Sequence, residues 1–91
     1  MIIILKIIDK NNREIYLTDE RYLHILKHPE MQNSLYKIEE AIKNSDFIEE
    51  DLNNEKAYYY KYIKNDKKHI MVVVKIENNL GNILTAYMVQ K

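Results

Sequence analysis

Cysteine is absent from this 91-residue chain, which excludes disulfides, thiolate nucleophiles and cysteine-ligated zinc. Glycine and proline occur once each, so no flexible linker divides the sequence, and residues 1–91 read as one domain without internal repeats or low-complexity tracts. Net charge is missing too. Fourteen Lys and Arg balance fourteen Asp and Glu, which argues against a cationic coat for nucleic acid. Neutrality still permits a small basic cleft, because the charge is unevenly spread: Glu49-Glu-Asp51 is acidic and Lys67-Lys-His69 is basic. The apolar start, Met1 to Ile8, has no basic region ahead of it, is interrupted by Lys6 and leads to no small-residue cleavage site. It reads as neither a signal peptide nor a membrane span, and a cytoplasmic protein is expected.

Hydrophobic periodicity gives the elements. Ile2 to Ile8 has strand character and turns at Asp9-Lys-Asn-Asn12 into a second short strand from Arg13 to Leu17, a hairpin pattern. Thr18 suits a helix N-cap, with Asp19 and Glu20 in the first turn, and Pro29 stops that helix near His28. Pro29 also suits the first turn of a second helix, whose apolar positions Met31, Leu35, Ile38 and Ile42 precede a stop at Asn44-Ser-Asp46. Strands then follow at Phe47-Ile48, Ala57 to Ile63, Ile70 to Ile76 and Asn82 to Val89, separated by turn residues. The expected architecture is α+β: two helices packed on a twisted antiparallel sheet of about four strands, preceded by a short N-terminal strand or hairpin.

Arg21, His24 and His28 fall at positions i, i+3 and i+7, so on a continuous helix they share one face. A guanidinium and two imidazoles in one stripe bind an anion and move protons near neutral pH. Tyr22, Leu23, Ile25 and Leu26 supply the apolar remainder of that helix. The i, i+4 histidine pair also has the spacing of a zinc site, with Glu30 or His69 as a third ligand, but Ile25 stands where the zincin pattern needs glutamate. Acid–base catalysis or phosphate binding needs no further ligand, so no metal and no cofactor are expected. His28 has a plainer reading as well, bonding the end of its own helix.

Two more constellations carry polar chemistry. In a strand, Tyr58, Tyr60 and Tyr62 face one way while Tyr59 and Lys61 face the other, so either face offers rings for base stacking beside a cation, or rings that fill a core. Thr85 and Tyr87 share a face of the last strand, where a hydroxyl and a phenol bond a phosphate jointly or form an ordinary half-polar surface.

Leu17-Thr-Asp-Glu-Arg-Tyr-Leu-His24, His28-Pro-Glu-Met31, Glu39-Glu-Ala-Ile-Lys-Asn-Ser-Asp46, Tyr58-Tyr-Tyr-Lys61 and Leu84-Thr-Ala-Tyr87, read together, resemble the small phage and mobile-element domains of the barnase, EndoU, colicin and RelE group of nucleases. The similarity runs from about Arg13 to Tyr87. It implies two N-terminal helices on a four-stranded antiparallel sheet and a metal-independent ribonuclease, often in toxin or host-conflict settings. Residue by residue it points to Arg21, His24, His28, Lys61, Thr85 and Tyr87. The neutral charge departs from the strongly basic, ribosome-dependent toxins of the RelE type and weighs against ribosome binding.

The expected activity is endoribonuclease cleavage by attack of the RNA 2′-hydroxyl on the adjacent phosphodiester. Catalytic candidates are His24 and His28 as base and acid in either order, with Lys61 and Thr85; substrate-binding candidates are Arg21, Tyr59, Tyr60 and Tyr87. The expected partners are an RNA substrate and an antitoxin or immunity protein, with no membrane. The alternative is a non-catalytic RNA-binding or protein-interaction module, for example a degenerate toxin-like domain. A third reading is a homodimer paired through the edge of the strand from Ile2 to Ile8. The enzyme reading requires both imidazoles and Lys61 to converge on one concave site.

Overall fold

Alternating side chains at the N-terminus place Leu5 and Ile7, then Ile15 and Leu17, on one face, and in the computed structural model, which describes residues 1–90, they form an antiparallel hairpin of β1 (Ile3–Ile8) and β2 (Glu14–Thr18). Asn12 turns the hairpin at a left-handed φ of 64°, which asparagine tolerates. β2 runs directly into helix α1 (Asp19–Ile25), and the extended Thr18 caps it by accepting the Arg21 backbone N–H. α1 stops at Ile25, short of the expected end near His28. His28 is extended, the conformation that a following proline imposes.

The second helix is also shorter than expected. Pro29–Met31 makes a single 3-10 turn, Asn33 at φ 58° breaks the chain's course, and only then does α2 (Leu35–Lys43) begin, burying Ile38, Ala41 and Ile42. β3 (Phe47–Asp51), β4 (Lys56–Ile63), β5 (Lys68–Glu77) and β6 (Leu80–Val89) follow as an antiparallel meander. The β5–β6 turn has both central residues, Asn78 and Asn79, at positive φ (52° and 66°), the geometry that matches strand twist in two-residue hairpins.

The expectation of two helices on an antiparallel sheet of about four strands is corrected here: the sheet has six strands in the order β1-β2-β6-β5-β4-β3 and is mixed. The hairpin is part of the sheet because β2 pairs in parallel with β6, Ile15 opposite Gly81. The chain's one glycine allows that approach: a Cβ at Gly81 would lie 2.5 Å from Ile15 Cδ1 and 2.7 Å from Val74 Cγ1. Both helices cover one face of the sheet or its rim, and the core between them gathers Ile7, Ile15, Leu17, Ile38, Ile42, Tyr59, Val72 and Ile83. β1 is the outer strand of one edge and leaves Ile3 and Ile8 exposed. Among the described residues no helix is long and apolar enough to cross a membrane.

A buried polar network fastens the hairpin to the far side of the sheet. Asp9 accepts from Arg13 Nε at 2.9 Å, from the backbone N–H of Asn11 and Arg13 at 2.8 Å each, and from the Tyr59 hydroxyl. Arg13 also donates to Glu50 at 2.6 Å and to the Tyr59 oxygen at 3.0 Å. Burial pushes the Asp9 carboxyl up, but its donors, Tyr59 first, outweigh burial and hold it below the ordinary carboxylate value. Burial and the bond to Asp9 push the Tyr59 phenol up, so it stays a neutral donor.

Two outcomes follow from these contacts. Gly81→Ala is expected to destabilise the fold by about 1–3 kcal/mol through overpacking, seen as a lower Tm; an unchanged Tm would show that β2 is not held tightly on β6. Asp9→Asn is expected to cost about 3 kcal/mol at pH 7, on the order of 10 °C in Tm. Since the native carboxyl titrates below its ordinary 3.8, its contribution is complete above that pH and is lost as pH falls through the lower native value. The gap between wild type and variant should therefore narrow in melts at pH 3, and an equal gap at both pH values would contradict the network.

Candidate functional site

Strand alternation divides the chemistry between two faces. Across the helix-free face the register aligns Tyr87, Met71, Tyr60 and Phe47 in one row, one residue from each of β6, β5, β4 and β3. The neighbouring rows are Thr85, Val73, Tyr58 and Glu49 on one side, and Val89, His69 and Tyr62 on the other. Thr85 reaches this face through a β-bulge. The register slips between Val73 and Val74, Leu84 is the extra residue, and so Ile83 points into the core while Thr85, two residues on, pairs with Val73 on the opposite side.

Where β2 leaves β6 beyond Tyr16 and Asn82, α1 takes its place along β6. The gap is a cleft of about 590 Å³ whose lining includes Tyr16, Thr18, Glu20, Arg21, His24 and Leu84. Helical spacing points Arg21 and His24 into it, while Ile25 is buried behind them. Both side chains are exposed, and among the described residues neither is engaged by a side-chain hydrogen bond or ion pair.

His28 arrives by a different route. Because the helix ends at Ile25, His28 does not extend the Arg21–His24 stripe; the turn before Pro29 brings its ring to 5.7 Å from the ring of Tyr87, tilted by 39°. Tyr87 acts in turn on Tyr60, whose phenol is pushed up to about 12, chiefly by burial and then by its bond to Glu49. Arg21 and His24 thus share the cleft, while His28, Tyr87, Thr85 and Tyr60 share the adjoining sheet face.

Lys61 and Tyr59 are elsewhere, and the expected convergence of both imidazoles and Lys61 on one concave site is not found: His24 lines the cleft, His28 lies outside its lining against Tyr87, and Lys61 sits beside Asp46. Tyr59 and Lys61 point to the helix-covered side because strand alternation separates them from Tyr60. Lys61 Nζ lies 3.4 Å from Asp46 Oδ1, in a hollow shared with Lys37 and Glu40 of α2. Tyr59 is fully buried and spent on the Asp9–Arg13 network.

Phe47 was not among the sequence candidates, and His69 was one only as a third zinc ligand. Phe47 stacks on Tyr60 with centroids 4.5 Å apart and planes 14° from parallel, and His69 sits 5.3 Å from Tyr62, edge to face. Their signal in the sequence is only strand parity, and it becomes visible once the β3–β4 and β4–β5 registers are known. Among the described residues no three His, Cys, Asp or Glu side chains converge as a metal site. What the arrangement offers is a guanidinium and one imidazole in the cleft, and a second imidazole, a phenol and a threonine hydroxyl on the adjoining sheet face, groups whose chemistry suits an anion and proton transfer.

Compared with protein-family models, with curated proteins and with solved structures, the chain matches none.

Proposed function

We propose that this domain is a cytoplasmic endoribonuclease whose active site lies at the rim where α1 meets β6. One observation carries the reading: Arg21 and His24 line a cleft on β6 whose adjoining face presents Thr85, Tyr87 and the second imidazole, His28.

The chemistry those groups support is transesterification. The RNA 2′-oxygen attacks the adjacent phosphorus while one imidazole removes its proton; the bond from phosphorus to the 5′-oxygen breaks, and the other imidazole protonates that oxygen. The products are a 2′,3′-cyclic phosphate and a free 5′-hydroxyl. Arg21, unpaired and at the same cleft, stabilises the negative charge that grows on the phosphoryl oxygens, and Thr85 and Tyr87 contribute neutral hydroxyl donors. Lys61, which the enzyme reading of the sequence requires at the site, has no part in it, being held against Asp46 on the helix-covered side, and Arg21 takes its place as the stabilising cation in this proposal.

Cleavage of a fluorescent RNA tests the reading. His24→Ala and His28→Ala are each expected to reduce turnover by about 10²-fold or more, whereas Lys61→Ala leaves it unchanged. Cleavage is expected to survive EDTA; its complete loss with rescue by zinc or manganese would refute proton transfer by imidazoles alone. Two imidazoles exchanging one proton, one needed neutral and one charged, give a rate profile with an acidic and a basic limb, and a profile flat with pH would remove them from the mechanism. If RNA is bound but never cut, and Arg21→Ala weakens the binding, the domain is an RNA-binding module and not an enzyme.

A further inference from the structure

We propose that the aromatic end of the helix-free face, Phe47 with Tyr60, Tyr62 and His69, is a stacking subsite for a nucleobase of single-stranded RNA a few nucleotides away from the cleaved phosphate. The inference rests on the ribonuclease reading and adds to it the form in which the substrate is held.

Geometry is the first support. Phe47 and Tyr60 lie in the same cross-strand row as Tyr87, so the catalytic rim and the aromatic end are two stations on one line. With adjacent strands about 4.8 Å apart, Tyr87 and Phe47 are separated by three spacings, roughly 14 Å. Exposure is the second. Tyr60, beneath Phe47, is 5% exposed, but Phe47 itself is 38% exposed and Tyr62 46% exposed, so the outer rings of the cluster remain open. A cluster serving only to cover β4 would hide its largest rings, and here the outermost are presented. His69 bridges the two, 6.0 Å from Phe47 and 5.3 Å from Tyr62.

Charge decides what fits. The cleft end carries Arg21 and His24 beside Glu20, whereas the aromatic end carries the carboxylate of Glu49, bonded to Tyr60; Asp46, at its margin, accepts the Tyr62 backbone N–H at 2.7 Å and is paired with Lys61. The guanidinium of Arg21 suits a phosphate at the first end, and Glu49 disfavours one at the second. An uncharged base with amino or imino donors at its edge suits the second, stacking on rings while its donors face carboxylates. A duplex is excluded as the occupant because its bases are already stacked on one another and are not free to meet the rings.

The test uses a fluorescein-labelled RNA hexanucleotide with every 2′-oxygen methylated, which blocks the attacking group, and reads binding by anisotropy. Phe47→Ala is expected to weaken binding about tenfold, Phe47→Leu to be as weak because it keeps apolar bulk without a π-face, and Phe47→Trp to restore it. Leu52→Ala, which trims a residue 80% exposed and outside the aromatic cluster, is expected to bind as wild type. Thermal melts establish that each variant is folded. Wild-type affinity in Phe47→Ala or Phe47→Leu would overturn the subsite. The unmethylated hexanucleotide then separates the two claims. Cleavage with a KM indifferent to Phe47 retains the nuclease and removes the subsite; Phe47-dependent binding without cleavage retains the subsite and removes the nuclease. Neither binding nor cleavage removes both.

Discussion

The buried contact of Asp9 with Arg13 and Tyr59 is the constraint on which the rest of the arrangement hangs. Without it, the N-terminal hairpin would be joined to the rest of the fold by a three-residue parallel ladder, the Lys10 hydrogen bond to the Ser45 carbonyl and apolar packing. The network runs from the β1–β2 turn to β4 and, through Glu50, to β3, so it ties the two ends of the strand order together over the core. Burying these charges is costly in itself, and the geometry offsets that cost by giving the carboxylate four donors and the guanidinium two further acceptors. Its consequence for function is indirect. Where β2 is held decides where α1 starts, and the start of α1 decides where Arg21 and His24 point.

The site itself is a product of a mismatch in strand length. β2 has five residues and β6 has ten, so after Tyr16 the longer strand runs on with its flank open, and a helix fills the vacancy incompletely. The cleft is the unfilled part. Polar groups gather there for a physical reason: α1 presents its solvent-facing side to the opening while Ile25 anchors its other side in the core.

Much of this was legible in the residues. The N-cap at Thr18, the four C-terminal strands and the opposite orientation of Tyr58 and Tyr59 all follow from local rules, and each is present, whereas α1 ends at Ile25, before the stop expected near His28. Position along a helix was less secure: Arg21 and His24 kept their shared face, but His28 lost it because three residues of turn intervene before Pro29. What local rules do not reach is pairing at long range. The parallel β2–β6 contact joins segments at opposite ends of the chain, and its clue, a lone Gly81, is indistinguishable in sequence from a turn glycine. The bulge at Leu84 is hidden for a similar reason, since it exists only relative to β5. Lys61 was misplaced because alternation fixes relative facing along a strand but not which side the helices will cover.

The parallel pairing also bears on when the cleft comes into being. The β3–β6 meander closes through short turns, so its contacts are local in sequence, whereas the contact of Ile15 with Gly81 closes a far longer loop at a higher entropic cost. The imidazole and guanidinium of α1 therefore exist in the growing polypeptide long before they have a β6 to face. A chain interrupted between α1 and β6 carries every polar group of α1 but lacks the strand that forms the other wall of the cleft.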